Sequence, residues 1–364
     1  MTLQVNPVTG LDGVIAAETA LSHVDGEKGE LIIGGASVGD IAFAEDFEAL
    51  AARLWVLADG SQRDAGDARR LIGMARVRAF ERLSAVLPAT DGLPMVDAFR
   101  AALAAMAPDD DLPDEILLTG AMGVVAAALV RSRNGERLIA PDPELGHAAD
   151  ILRMLRGMQA HESEVAGLNA YLVTVSDHGM NASTFAGRVV ASTGASPFMA
   201  ITAAYCALSG PLHGGAPEPV LNMLDAIGSA DNIAPWIDAA LSRGERLMGF
   251  GHRIYRVRDP RADVLKTAFE RLEGAVRDMN LAAQVEAYAR KALEAHKPDR
   301  KLDTNVEFYT AILLDALKIP RQAFTPIFAA ARVVGWTAHA LEQQYKGRLL
   351  RPASLYVGPM PAKR

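Results

Sequence analysis

Half of this 364-residue chain is hydrophobic, enough for a large core and for two domains. Its net charge of -7 excludes a general nucleic-acid binder, which needs a basic face. The single cysteine, Cys206, excludes an intrachain disulfide and fits a reducing, cytoplasmic setting.

In chain order, the first ten residues show no basic start and no apolar run, so no secretory signal is expected. Residues 21–24 and 30–33 are short strand-like runs around Asp25-Gly26, a turn signal, and predict a small hairpin. Phe43, Phe47, Leu50, Leu54 and Leu57 then recur at helical spacing, with Gly60 as the stop. Residues 116–130 form the longest apolar run. A membrane span needs roughly 20 apolar residues, so this is read as a buried core helix, and no membrane association is expected. Ile151, Leu152, Leu155 and Met158 share one face, as do Val220, Leu221, Leu224 and Ile227. A third stripe runs through Val264, Leu265, Ala268, Phe269, Leu272, Val276 and Met279. Residues 295–304 read as a polar loop, and a little β-structure is expected near 354–357. Ala and Leu dominate the apolar set and no strands alternate with these helices. The expectation is an all-α fold with minor N-terminal β-structure.

Three segments place polar residues among glycines and prolines where helix patterning should have excluded them. They are Gly-Pro-Leu-His-Gly-Gly at 210–215, Gly-Phe-Gly-His-Arg-Ile-Tyr-Arg-Val-Arg-Asp-Pro-Arg at 249–261, and Asn-Val-Glu-Phe-Tyr at 305–309. His213 precedes two glycines whose backbone can approach a ligand closely. His252 is followed by Arg253, Arg256, Arg258 and Arg261, and guanidinium forks match carboxylates and phosphates. From the residues alone the choice lies between a site for a small anion and a solvated helix-entry loop in which Asp259 pairs a neighbour.

In order and wording these segments resemble the citrate synthase family. Further matches are Ser-Asp-His-Gly-Met-Asn-Ala-Ser-Thr at 176–184, Phe-Thr-Pro-Ile-Phe at 324–328 with Arg332 and Gly335-Trp336, and Arg351-Pro352 before Tyr356. The resemblance runs from about Gly10 to Pro359. It implies a helical homodimer whose subunits have a large domain, 1–213 with 318–364, and a small one, 214–317, that closes over the substrates. It implies the condensation of acetyl-CoA with oxaloacetate and hydrolysis of citryl-CoA to citrate and CoA, with the CoA thioester as substrate and no permanently bound cofactor. His213 would polarise the thioester carbonyl, His252 the ketone, and Glu307 would be the base. His178, Arg261 and Arg332 match oxaloacetate-binding positions, and Arg351 an arginine contributed across the dimer interface. Arg256, Arg258 and Lys301 are phosphate candidates chosen for charge and position.

The chain departs from the family's pattern in three places, one of them a loop variation at Ser196-Pro197 where relatives often have an acidic or aromatic run. Glu307 stands where an Asp is usual, which lengthens the base by a methylene. Ile33-Gly34-Gly35-Ala36 stands where relatives carry a Tyr-Arg-Gly-Tyr-like run. Three rivals were weighed: a 2-methylcitrate synthase using propionyl-CoA, a non-catalytic CoA-binding relative, and a hydrolase built on Gly35-Ala-Ser-Val-Gly39. The last needs a parallel sheet that the pattern does not signal. No metal site is expected from the eight histidines, and His339 is read as structural.

Overall fold

The computed structural model describes residues 9–11, 13–211, 213, 217–273 and 279–361. The predicted hairpin is present: β1 (Ser22–Asp25) pairs antiparallel with β2 (Glu30–Ile33), Ser22 opposite Ile33. A short β3 (Ala36–Ser37) extends it across the Gly34-Gly35 turn, where both glycines have positive φ. Ser37 therefore lies in an antiparallel ribbon, with no parallel sheet among the described residues to make it a nucleophile elbow.

Among the described residues the remaining regular elements are helices. The chain runs through α1 (Val38–Ile41), α2 (Phe47–Asp59), α3 (Ala65–Val86), α4 (Met95–Ala104), α5 (Asp114–Arg133), α6 (His147–Arg156), α7 (Glu162–Thr174), α8 (Ala182–Ala191) and α9 (Pro197–Leu208). It continues through α10 (Pro217–Ile227), α11 (Ile233–Ser242), α12 (Pro260–Glu270), α13 (Met279–His296), α14 (Val306–Ala316) and α15 (Phe324–Lys346). The all-α expectation holds.

The helix α5 is the scaffold's centre. By length and composition it could cross a membrane, yet 94% of its apolar window is buried inside the fold, between α3 and α15. An all-round apolar helix of this kind belongs in a large core. The helices α10 to α14 pack mainly on one another, α12 and α10 against α14 and α11 against α13. They meet the rest chiefly where α12 lies on α7 and α1.

Several boundaries differ from the periodic reading. The first stripe starts at Phe47 rather than Phe43, because Asp46 takes the extended N-cap conformation; Gly60 ends it in the left-handed region as expected. Gly157 stops α6 in the same way, leaving Met158 outside and exposed. The third stripe is two helices: α12 ends at Glu270, Leu272 follows it, Val276 lies outside the described residues and Met279 opens α13. Residues 354–357 form no strand. They lie in an exposed tail with no sheet edge beside them to pair their N–H groups.

One close packing matters for the site. In α15, Gly335 lies against the turn at Ser176 and Asp177, where a methyl group would collide with the Ser176 carbonyl oxygen and come within 2.9 Å of Asp177 Oδ1. That turn delivers His178. Gly335→Ala should therefore push α15 and the turn apart despite the better helix propensity of alanine, costing about 1–3 kcal/mol. Thermal denaturation should show a melting point several degrees lower; an unchanged melt would show that the contact has room to give.

Candidate active site

The second and third motifs form one unit. Gly251 N–H donates to Asp303 O at 2.7 Å and Asn305 N–H to Gly249 O at 3.0 Å, with Phe250 and Thr304 bridged antiparallel. Gly249 and Gly251 both have φ near +80°, and a Cβ at Gly249 would lie 2.9 Å from Phe308 Cβ. The Gly-Phe-Gly spelling before His252 is thus a backbone requirement. Asn305 then caps α14: its Oδ1 accepts the Glu307 N–H at 3.0 Å while its Nδ2 donates to Gly251 O at 2.8 Å.

Asp259, 1% exposed, joins the unit from the other side. Its carboxylate caps α12 through Arg261 N–H, holds the Arg261 guanidinium at 2.8 Å and 3.0 Å, and accepts Val306 N–H at 3.1 Å. Burial alone would lower the Arg261 pKa, but the Asp259 charge holds it up. The guanidinium is therefore a fixed cation beside the first turn of α14.

His252 Nδ1 accepts two backbone N–H groups, from Ile254 at 3.0 Å and Tyr255 at 3.1 Å. In the neutral ring that places the hydrogen on Nε2, which lies 3.4 Å from Arg261 Nη2. Two donors side by side need a common acceptor between them. Burial, with the Arg261 charge adding to it, lowers the His252 pKa to about 4, so the ring is neutral.

From the other side of the site come His213 and His178. His213 is half-buried, with Nε2 2.9 Å from Ser183 Oγ and 3.3 Å from the Ser183 N–H. Ser183 sits in the Asn181-capped first turn of α8 and is also within reach of Trp336 Nε1. This supplies the orienting neighbour that the sequence did not reveal. Burial and then Arg332 lower the His213 pKa to about 4. His178 is held well below its usual value by burial, then by Arg261, His252, Arg332 and His213. Arg332 is 1% exposed, its Nε donates to Val175 O at 2.6 Å, and burial brings its pKa down to about 10.

Glu307 stands among these groups. Its side chain is not fully covered, but burial still raises its pKa to about 7; Arg261 and Arg332 oppose that rise and Asp259 adds to it. The structure thus brings together His213, His252, Glu307, His178, Arg261 and Arg332. Two further residues were missed in the sequence. The Tyr255 hydroxyl lies 3.1 Å from His178 Nε2, and the buried Tyr171 hydroxyl, in the field of Glu307, Arg332 and Arg261, has no hydrogen-bond partner among the described residues. Tyr171 reads in the sequence as one more apolar position of α7.

The remaining candidates are elsewhere. Arg258 is already held by Asp263 and Glu286, both at 2.5 Å, so its charge is met by carboxylates rather than offered to a phosphate. Arg256 and Lys301 are exposed, as is Arg351 in the extended tail. Gly214 and Gly215 lie outside the described residues. Among the described residues no group of three or more His, Cys, Asp or Glu is arranged to hold a metal.

Comparison with known proteins gives one answer. The family model described as "Citrate synthase, C-terminal domain" matches residues 10–353. A citrate synthase of Haloferax volcanii is 36% identical, the match covering 96% of this chain and 95% of that protein. Citrate synthase from Thermotoga maritima superposes with a TM-score of 0.84 at 32% identity, covering 98% of this chain and 97% of that one. Citrate synthase from Thermoplasma acidophilum, solved with carboxymethyl coenzyme A and oxaloacetate, gives 0.85 at 30% identity with the same coverage.

The raised pKa of Glu307 carries a stability prediction. A carboxyl whose folded value lies above its ordinary 4.5 gives stability that is whole below that value and lost as pH rises through about 7. Glu307→Gln, neutral throughout, should therefore gain on the parent between pH 5 and pH 8 by on the order of 1–3 kcal/mol. Urea denaturation at the two pH values reads this directly. A difference that stays constant with pH would mean that Glu307 does not titrate there.

Proposed function

Because the chain belongs to the citrate synthase family, we propose that this site condenses acetyl-CoA with oxaloacetate and hydrolyses the resulting citryl-CoA to citrate and CoA. The observation that carries the reading is a carboxyl with a pKa of about 7 among two neutral histidines and two buried arginines. A thioester methyl is a weak carbon acid. Removing its proton needs a base that is ionised near neutrality and a donor at the oxygen where enolate charge develops. Glu307 is that base. His213, its Nε2 accepting from Ser183, carries its hydrogen on Nδ1 and is the donor to the thioester oxygen.

The ketone of oxaloacetate takes the hydrogen of His252 Nε2, and Arg261 beside it takes a carboxylate. Arg332 and His178 bind the rest of the dianion. Both histidines must be neutral to act as donors without giving up a full proton, and both titrate at about 4. The named relatives are citrate synthases, which favours acetyl-CoA over propionyl-CoA. The intact donor set argues against a non-catalytic relative.

The assembly follows the same reading. Helices α10 to α14 would form the small domain, 214–317, closing over the substrates against the rest, 1–213 and 318–364. The tail after α15 exposes Leu349, Leu355, Tyr356 and Val357 along with Arg351, and apolar side chains standing in water fit a second copy of the chain. A cytoplasmic homodimer is consistent with the lone cysteine and with this surface.

CoA thiol release measured with oxaloacetate and acetyl-CoA tests the reaction; no release from folded protein sinks it. Glu307→Gln should lower kcat by roughly 10²–10⁴ while leaving oxaloacetate affinity nearly intact. In the parent enzyme kcat/KM for acetyl-CoA should rise with pH through about 7, since only the ionised Glu307 accepts the proton. An acidic limb near 4 would instead assign the titration to a histidine.

A further inference from the structure

The His252 loop carries a side chain that the proposed reaction has not used. Tyr255 is 2% exposed, and its hydroxyl lies 3.1 Å from Nε2 of His178, itself 5% exposed. Its ring stands 4.7 Å from His252 and 5.6 Å from His178, with the Arg261 guanidinium 5.9 Å above it. Its backbone N–H is one of the two that fix His252 Nδ1. The two histidines themselves meet edge-on at 5.6 Å. Tyr255 thus grips one histidine through its backbone and the other through its hydroxyl.

His178 sits close to Arg261 and Arg332, and those charges add to burial in keeping it neutral. A neutral imidazole has one N–H donor and one acceptor nitrogen, so its neighbours decide which is which. For a ring that binds an anion the choice matters, because only the N–H can face a carboxylate. The Tyr255 phenol, protonated in its buried setting, has a single hydrogen to give, and Nε2 lies within its reach.

We propose that Tyr255 is a positioning residue for His178: its O–H···Nε2 bond holds the imidazole as the Nδ1–H tautomer, the form that donates to the oxaloacetate anion. The proposal rests on the citrate-forming reading of the site. It means that the loop bearing His252 also sets the donor state of His178. Both histidines are then readied for the same substrate by one segment of chain.

Tyr255→Phe keeps the ring packing and removes only the hydroxyl. The KM for oxaloacetate should rise about tenfold, the worth of one buried hydrogen bond, with kcat within threefold and the KM for acetyl-CoA unchanged. Adding Tyr255→Phe to His178→Ala should weaken oxaloacetate no further than His178→Ala alone, because the hydroxyl acts through that ring. An unchanged oxaloacetate KM, or additive losses in the double variant, overturns the proposal. A readout independent of activity is the ¹⁵N spectrum of histidine-labelled parent enzyme, in which His178 should appear as Nδ1–H; an Nε2–H signal overturns the proposal even if the variants fail to fold. Parent enzyme that releases no CoA refutes the synthase reading instead, and the spectrum still decides the tautomer.

Discussion

The site depends on one buried carboxylate. Asp259 caps α12, grips the Arg261 guanidinium, and accepts the Val306 N–H at the start of α14. Its oxygens therefore fix the Arg261 guanidinium and the helix that presents Glu307 relative to each other. A buried carboxylate is costly unless its acceptor sites are filled, and here they are filled by groups that the chemistry needs in place. Paired strand-like segments at 249–251 and 303–305 complete the frame, so His252, Arg261 and Glu307 are all anchored to it.

The charge balance follows from that frame. Arg261 and Arg332 are both buried, each lowering the pKa of the neighbouring histidines, and only Arg261 has a carboxylate directly bound to it. Two cations brought close in a medium of low dielectric repel one another. In the proposed reaction a dianionic substrate between them would relieve that repulsion, turning it into binding energy and selectivity for dicarboxylates. Burial keeps His213 and His252 neutral and that field adds to it, which fits the donor roles proposed for them and leaves Glu307 as the group that titrates near neutrality.

The helices and the catalytic motifs were legible in the sequence for different reasons. Helical stripes such as that of α10 read from their 3.6-residue period, and the all-round apolar α5 read from its length. The Gly-rich turns around His213 and His252 stood out because they break that period. Tyr171 could not be found in this way, since a tyrosine whose hydroxyl lies in the field of Glu307, Arg332 and Arg261 and one packed in a core have the same spelling. Ser183 escaped because its role arises from α8 lying beside the His213 turn, a contact between residues 30 apart. Arg258 marks a limit of such reading, because charge in a motif does not say which carboxylates fold back upon it. The break between α12 and α13 was hidden because apolar spacing continues through it.

Glu307 stands where the family usually has an aspartate, and its side chain is one methylene longer. A longer side chain could in principle be offset by withdrawing the backbone by about the length of a methylene. The first turn of α14 leaves little room for that: Asn305 N–H is held by Gly249, Val306 N–H by Asp259, and Glu307 N–H by the Asn305 side chain. Three successive donors pinned to the frame that also carries Arg261 cannot retreat without moving that guanidinium. The extra methylene then places the carboxyl one bond further from a fixed backbone, in the field of Arg261, Asp259 and Arg332. That placement fits a carboxyl which burial raises to about 7 despite two nearby arginines. A carboxyl with that pKa is a stronger base than an ordinary carboxylate and is still ionised in about half of the molecules at pH 7, the balance that general-base work near neutrality needs.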